Sequence, residues 1–231
     1  METYFYIFIF LYIQIMQSCF ANCEILASNA FNLFKKGDYL LIDVRPKAQF
    51  NQISIPKSIN LPLYSLKVTS FIKNKKMILI NEGFDNSNLI KVCQQLNKKG
   101  QNIKVVVGGL NRWSQISQNF VGNKNLIKQW VFLEPRKFYY ALYNPNNLLV
   151  AFSEIKKITQ LIKQNNKIKQ IFIYDYQGEF ENKMMTNLHS QSNLPLFYLK
   201  GGEIAFNHYQ QTHLTLLNKL KYPSQLLQCR N

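Results

Sequence analysis

The sequence predicts an α/β protein of two three-layer α/β/α units, each built on a mainly parallel central sheet, with the second unit shortened. Short apolar runs bounded by turn residues recur along the chain and read as buried strands. Amphipathic helical stretches lie between them, as crossovers between parallel strands require. The rhythm runs through twice, each time closing on a glycine pair, Gly108-Gly109 and then Gly201-Gly202.

Residues 25 to 37 place Ala27, Ala30, Phe31 and Phe34 on one face and end at Gly37, so a helix is predicted there. Tyr39 to Val44 is an apolar run closed by Pro46, a first strand. After a proline-punctuated loop, Lys76 to Ile80 is a second strand, Asn88 to Lys99 a helix stopped by Gly100, and Ile103 to Val107 a third strand. In the second half Pro135 to Leu142 reads as a helix, Leu148 to Ala151 as a strand, and Ser153 to Gln164 as one helix. Ile171 to Tyr174 and Leu196 to Leu199 read as further strands.

The two halves share their spacing. Asn81 to Gly108 is 27 residues (108 − 81), Asp175 to Gly201 is 26 (201 − 175), and an aromatic follows each second glycine by four residues, Trp113 and Phe206. Internal similarity of this kind indicates duplication. The boundary is expected near Gln129, with residues 22–129 as one domain and 130–231 as the other.

Composition bounds what these units do. With 47% hydrophobic and 17% charged residues the chain can build packed cores. Residues 1–21 carry an apolar run, Tyr4 to Ile13, and then small and polar residues up to Ala21, the pattern of a signal peptide cleaved after Ala21; an uncleaved membrane anchor is the rival reading. Export to a periplasmic or secreted location is the expectation if the signal is cleaved. Net charge is +16, from 28 Lys and Arg against 12 Asp and Glu. The lysines are scattered singly and in pairs, so no dedicated nucleic-acid binding is expected, only weak attraction to anionic surfaces.

Four cysteines, Cys19, Cys23, Cys93 and Cys229, form no C-x-x-C motif. Cys23 and Cys229 stand near the two ends of the mature chain, where a bridge between them is the alternative to three unpaired or buried thiols, the expected state. Cys93, mid-helix, is expected to be a buried thiol. His189, His208 and His213 lack metal-ligand spacing and a completing carboxylate or thiol, so no metal is expected and no cofactor is implied.

Four segments in order and spacing now carry a resemblance. Ile42-Asp43-Val44-Arg45, Gln49-Phe50, Ile55-Pro56-Lys57-Ser58-Ile59-Asn60-Leu61-Pro62 and Gly108-Gly109-Leu110-Asn111-Arg112-Trp113 resemble the rhodanese-like domain. The likeness covers residues 25 to about 120, and residues 131 to 215 more weakly through Gly201-Gly202-Glu203-Ile204-Ala205-Phe206. It implies a tandem of two such domains, with Asp43, Arg45, Pro56, Asn60, Gly108, Gly109, Trp113, Gly201 and Gly202 as structural motif residues. Asp43 and Arg45 would fix neighbouring loops, and Trp113 would pack on the sheet.

The resemblance also implies a catalytic cysteine at the end of the strand Ile78-Leu79-Ile80, opening a loop whose backbone N–H groups surround an anion. Here Asn81-Glu82-Gly83-Phe84-Asp85-Asn86-Ser87 carries no cysteine, Asn81 or Glu82 standing in its place, and the equivalent position in the second half is Asp175. Sulfur transfer needs a thiolate, which neither residue supplies. Glu82, Asp85, Asp175 and Glu179 would also oppose the positive potential of an anion site. The family's G-H-I-P-G-A reads Ile53-Ser54-Ile55-Pro56-Lys57-Ser58, and the second half has lost most of the segment holding that loop.

The expectation is therefore an exported, non-catalytic tandem that serves as a binding or scaffold module for an unidentified protein partner, with the loop Asn81 to Ser87 as the candidate binding loop. The alternative is a thiosulfate or persulfide sulfurtransferase using Cys93, or one completed by a partner's persulfide.

Overall fold

Strands whose residues alternate between two apolar faces must be covered on both, and each unit solves this with helices on either side of a parallel sheet. The computed structural model describes residues 23–67, 75–117, 119–165, 167–180, 185, 188, 192 and 194–219. The segment read as a signal peptide, with Cys19, lies outside these residues, as do His189 and Cys229. The chain divides into two compact units between Lys124 and Asn125. The expected boundary near Gln129 falls inside a 3-10 turn, Lys124–Trp130, that leads directly into the first strand of the second unit.

In the first unit the strands are β1 (Glu24–Ile25), β2 (Leu40–Asp43), β4 (Ile59–Asn60), β5 (Lys76–Ile80) and β6 (Asn102–Val106). They form one sheet in the order β1-β6-β5-β2-β4, every pair parallel. The helices are α1 (Ala27–Lys35), α2 (Lys47–Gln52), α3 (Ser87–Asn97) and α4 (Gly109–Ile116). On one face Ile42, Met77, Leu79, Ile103 and Val105 pack with Leu89, Cys93 and Leu96 of α3. Those three α3 positions follow the i, i+4, i+7 stripe that a 3.6-residue period places on one side. On the other side α1 packs against α4, where buried Trp113 meets Phe31 at 5.7 Å and Phe34 at 6.1 Å between ring centroids, both edge to face.

A short antiparallel pair, β3 (Ile53–Ser54) with β7 (Val121–Gly122), lies apart from the main sheet. Between β3 and β4 the chain turns at Ile55-Pro56-Lys57-Ser58, closed by Ser58 N–H to Ile55 O at 3.1 Å. Lys57 holds φ +66°, the left-handed region, at the place where the resemblance expects glycine. A side chain there costs roughly 1–2 kcal/mol, partly offset because glycine is freer in the unfolded chain. Lys57→Gly is expected to raise stability by about 0.5–1 kcal/mol, seen as a higher urea midpoint.

The second unit contains β8 (Phe132–Leu133), β9 (Asn147–Ala151), β10 (Gln170–Tyr174) and β11 (Leu196–Leu199), paired in parallel in the order β8-β11-β10-β9. That is the order of the first unit's sheet without the edge strand β4. The helix expected over Ser153 to Gln164 is instead a 3-10 turn, Phe152–Lys157, followed by α6 (Ile158–Gln164). With α5 (Pro135–Ala141) and α7 (Gly202–Lys219) the sheet is covered on both sides. One face gathers Val150, Ile171, Ile173, Leu196 and Tyr198 with Ile155 and Ile158. Phe172 and Phe197 point to the other face, stacked at 5.1 Å, and Phe172 meets Phe138 of α5. Phe206 of α7 in turn meets Phe138 at 5.8 Å.

Candidate functional site

A parallel α/β sheet presents its functional loops at the carboxyl ends of its strands, and in the first unit the segment after β5 is Asn81 to Asn86. Its path is set by the glycine pair that follows β6. The Asn81 carbonyl accepts the Leu110 N–H at 2.8 Å and the Glu82 carbonyl accepts the Asn111 N–H at 3.2 Å. Gly83, at φ +107°, lies so close to this turn that a Cβ there would sit 2.0 Å from the Gly108 carbonyl oxygen. A Cβ on Gly109 would come within 2.3 Å of the Asn81 oxygen. Both glycines are required by close approach of backbones.

Much of the rest of the loop is bonded within itself, although the side-chain oxygens of Asn81 and Asn86 are buried without a hydrogen-bond partner. Asn81 Nδ2 donates to the Asp85 carbonyl at 2.9 Å. Asp85 Oδ1 accepts the Ser87 N–H at 2.9 Å and the Ser87 hydroxyl, which satisfies the first N–H of α3. Asn86 Nδ2 donates to the Val106 carbonyl at 3.0 Å, tying the loop to the end of β6. Glu82 and Phe84 are half-buried, whereas Asp85 and Ser87 are exposed. The Asn81 amide nitrogen is thus spent on the loop's own backbone.

The second unit repeats the backbone arrangement with different side chains. The Asp175 carbonyl accepts the Glu203 N–H at 2.8 Å and the Tyr176 carbonyl accepts the Ile204 N–H at 3.4 Å, each donor following Gly202 as Leu110 and Asn111 follow Gly109. Gly178, at φ +77°, packs against Gly201 and Gly202 as Gly83 packs against Gly108 and Gly109. The Asp175 carboxylate turns into its own loop: Oδ1 accepts the Gly178 N–H and Oδ2 accepts the Glu179 N–H at 3.1 Å. Two amides that an incoming anion would use are taken by a carboxylate already in the chain. The composition of the loop showed an acid at this place; that it bonds Gly178 and Glu179 follows only from the loop's path.

Cys93 requires a correction. It is fully buried on the sheet-facing side of α3 and forms a disulfide with Cys23, with Cα atoms 6.1 Å apart. The expected free thiol is absent in this state, and so is the alternative nucleophile, since a disulfide sulfur has no thiolate to attack with. A bridge from Cys23 to Cys229 is excluded by the same bond. The pairing follows from sheet order. Cys23 leads into β1, where its carbonyl accepts the Val105 N–H at 2.7 Å; β1 lies beside β6, and α3 packs on β6. Asn97 secures the same corner, exchanging hydrogen bonds with Ile103 N–H at 2.8 Å and Ile103 O at 3.0 Å. The signal available in the sequence was Cys23 immediately before a strand, but β1 is only two residues long and has no period to detect.

Asp43 and Arg45 form a buried pair, at 1% and 2% side-chain exposure. Arg45 Nε donates to Oδ1 at 3.0 Å, Nη2 donates to Oδ2 at 2.7 Å, and the Arg45 backbone N–H donates to Oδ1 at 3.0 Å. Nη2 also donates to the Ile53 carbonyl at 2.8 Å. Asn60 Nδ2 donates to the carbonyls of Asp43 and Arg45 at 3.0 and 2.8 Å, which binds edge strand β4 to β2. This network ties the end of β2 to Ile53 of β3 and Asn60 of β4, the strands on either side of the Pro56 turn. Arg112, in α4, donates from Nη1 to Gln115 Oε1, and burial pulls its guanidinium below the ordinary value. Among the described residues no group of three His, Cys, Asp or Glu side chains is placed to hold a metal. His213 stacks on Tyr209, and the His208 carbonyl accepts the Thr212 hydroxyl.

The family described as Rhodanese-like domain matches residues 27–116. Adenylyltransferase and sulfurtransferase UBA4 of Meyerozyma guilliermondii is 31% identical over 99 residues, which covers 38% of this chain and 23% of that protein. Adenylyltransferase and sulfurtransferase uba4 of Ogataea parapolymorpha is 37% identical over 83 residues, covering 35% and 21%. Adenylyltransferase and sulfurtransferase MOCS3 of Arabidopsis thaliana is 32% identical over 106 residues, covering 38% and 23%. The chain therefore spans less than a quarter of the length of these curated relatives. Among solved structures, a rhodanese-related protein from Thermoplasma volcanium is 26% identical, covers 43% of this chain and 98% of its own, and superposes with a TM-score of 0.38. The match spans the strands β2, β4, β5 and β6 and the glycine-pair turn that builds the loop: residues 27–116 of this chain are a rhodanese-like domain.

Proposed function

We propose that this chain is an exported, non-catalytic protein with two rhodanese-like units, the second degenerate, acting as a binding or scaffold module for a protein partner. The observation that carries the reading is Asn81 at the end of β5, its amide bonded to the Asp85 carbonyl where a thiolate would be needed. The loop after β10 supports it, because Asp175 occupies the amides of Gly178 and Glu179 with its own carboxylate. The shared strand order of the two sheets, with β4 lacking a counterpart, supports reading the second unit as a shortened copy. Export is supported by the Cys23–Cys93 disulfide, a bond that persists in oxidising compartments.

The full chain, given thiosulfate and cyanide, is expected to form no thiocyanate above the buffer control. Mass spectrometry after a sulfane-sulfur donor is expected to find no peptide heavier by a sulfur atom. Turnover of thiosulfate, or a persulfide on Cys93, overturns the non-catalytic reading. Export has its own test: expressed in a secreting host, the mature chain is expected to begin at Asn22 with the Cys23 and Cys93 peptides linked. A cell-retained chain that begins at Met1 and carries free thiols would overturn it.

A further inference from the structure

Away from both glycine-pair loops, the second unit carries a cleft of about 510 Å³ lined by Lys128, Gln129, Phe132, Glu134, Lys137 and Lys200. Its size falls in the range of small-molecule sites. Its walls come from separate parts of the chain that the sheet brings together: the 3-10 turn before β8, β8 itself and the residue after it, α5, and the residue after β11. The parallel register pairs Leu133 with Leu199, and the Lys200 N–H donates to the Leu133 carbonyl at 2.9 Å. Lys200 is thereby held beside Glu134, and their side chains form an ion pair at 2.7 Å although both are about 60% exposed (62% and 60%). Among the described lining residues there are three ammonium groups and one carboxylate, so their summed charge is positive.

The cleft also has an apolar component. Phe132 is part of its lining, and the Phe132 ring is packed against Tyr198 at 5.7 Å and Phe180 at 6.2 Å between centroids, so its position is set by the core. An ammonium cluster beside a fixed aromatic wall suits a ligand with a doubly charged head and a flat apolar body. We propose that this cleft binds a small organic phosphate, the phosphate held by Lys128 and Lys137 and the apolar part laid against Phe132. The proposal concerns the second unit alone and stands independently of the reading of the Asn81 loop.

Phenyl phosphate is the probe, with inorganic phosphate and phenol as its two halves, each titrated calorimetrically into the full chain at physiological salt. Phenyl phosphate is expected to bind saturably at one site, inorganic phosphate more weakly, and phenol not at all. Lys128→Gln with Lys137→Gln is expected to weaken binding about tenfold, and Glu134→Gln, which removes the opposing charge, to tighten it. Lys35→Gln with Lys36→Gln removes the same total charge from the first unit and is expected to change nothing. All five positions are exposed, and unchanged thermal midpoints would verify that the variants fold. No saturable binding, or an equal loss in the Lys35 and Lys36 variant, overturns the site. Inorganic phosphate binding as tightly as phenyl phosphate overturns the role of Phe132.

Discussion

Asp43→Ala is expected to destabilise the first unit by roughly 3–5 kcal/mol, because it leaves the Arg45 guanidinium buried without its carboxylate. The pair is at 1% and 2% side-chain exposure, so water does not replace the lost partner. Arg45 would keep only Nη2 to the Ile53 carbonyl among its side-chain bonds named above. Hydrogen exchange in peptides covering β2 and β4 reads the effect, and it separates the first unit from the second. The double replacement Asp43→Leu with Arg45→Met is expected to cost less than Asp43→Ala alone, since it removes the stranded charge together with its partner. A loss below about 1 kcal/mol for Asp43→Ala would show that the pair behaves like a surface salt bridge.

Reduction of the Cys23–Cys93 disulfide is the second large effect. The bond closes a loop with a sequence separation of 70 residues. Chain entropy for a loop of that size puts its contribution at about 4 kcal/mol, within a usual range of roughly 2–5. The urea midpoint of the first unit is expected to fall accordingly when the chain is unfolded with reductant rather than without, while peptides of the second unit keep their protection. The bond fastens β1, the two-residue edge strand, to α3, whose own first turn carries the Asn81 to Asn86 loop. Exchange is therefore expected to rise first at Glu24 to Ala27 and next in α3. A midpoint that does not move would mean that the edge is held by its hydrogen bonds to β6 and by Asn97 alone.

Most of the strands were legible because their evidence is local. Met77 to Ile80 and Leu196–Leu199 are continuous apolar runs, and the limits of the strands Lys76–Ile80 and Leu196–Leu199 agree with the reading from sequence. The two-residue strands β1, β4 and β8 were not identified as strands, since two residues have no period and their extended backbone is imposed by the neighbour they pair with. The break at Ile158 was invisible for a related reason. Phe152 to Gln164 has the composition of one helix, and its division into a 3-10 turn and α6 depends on how Ile155 and Ile158 reach the same core.

The sequence by itself determined the parallel α/β class, the doubled rhythm, the rhodanese-like order of Asp43, Arg45, Asn60 and the glycine pair, and the absence of cysteine from the segment after β5. These are properties of neighbouring residues, carried by period, spacing and identity. Tertiary structure decided which cysteines meet, what Asp175 does with its carboxylate, and where Lys128, Lys137 and Lys200 gather. Each depends on strand order: β1 beside β6 brings Cys23 to Cys93, the turn after β11 sets the path of the Asp175 loop, and β8 beside β11 brings Lys200 to Glu134. Contacts between residues far apart in the chain are made only when the sheet closes, and local pattern does not encode them.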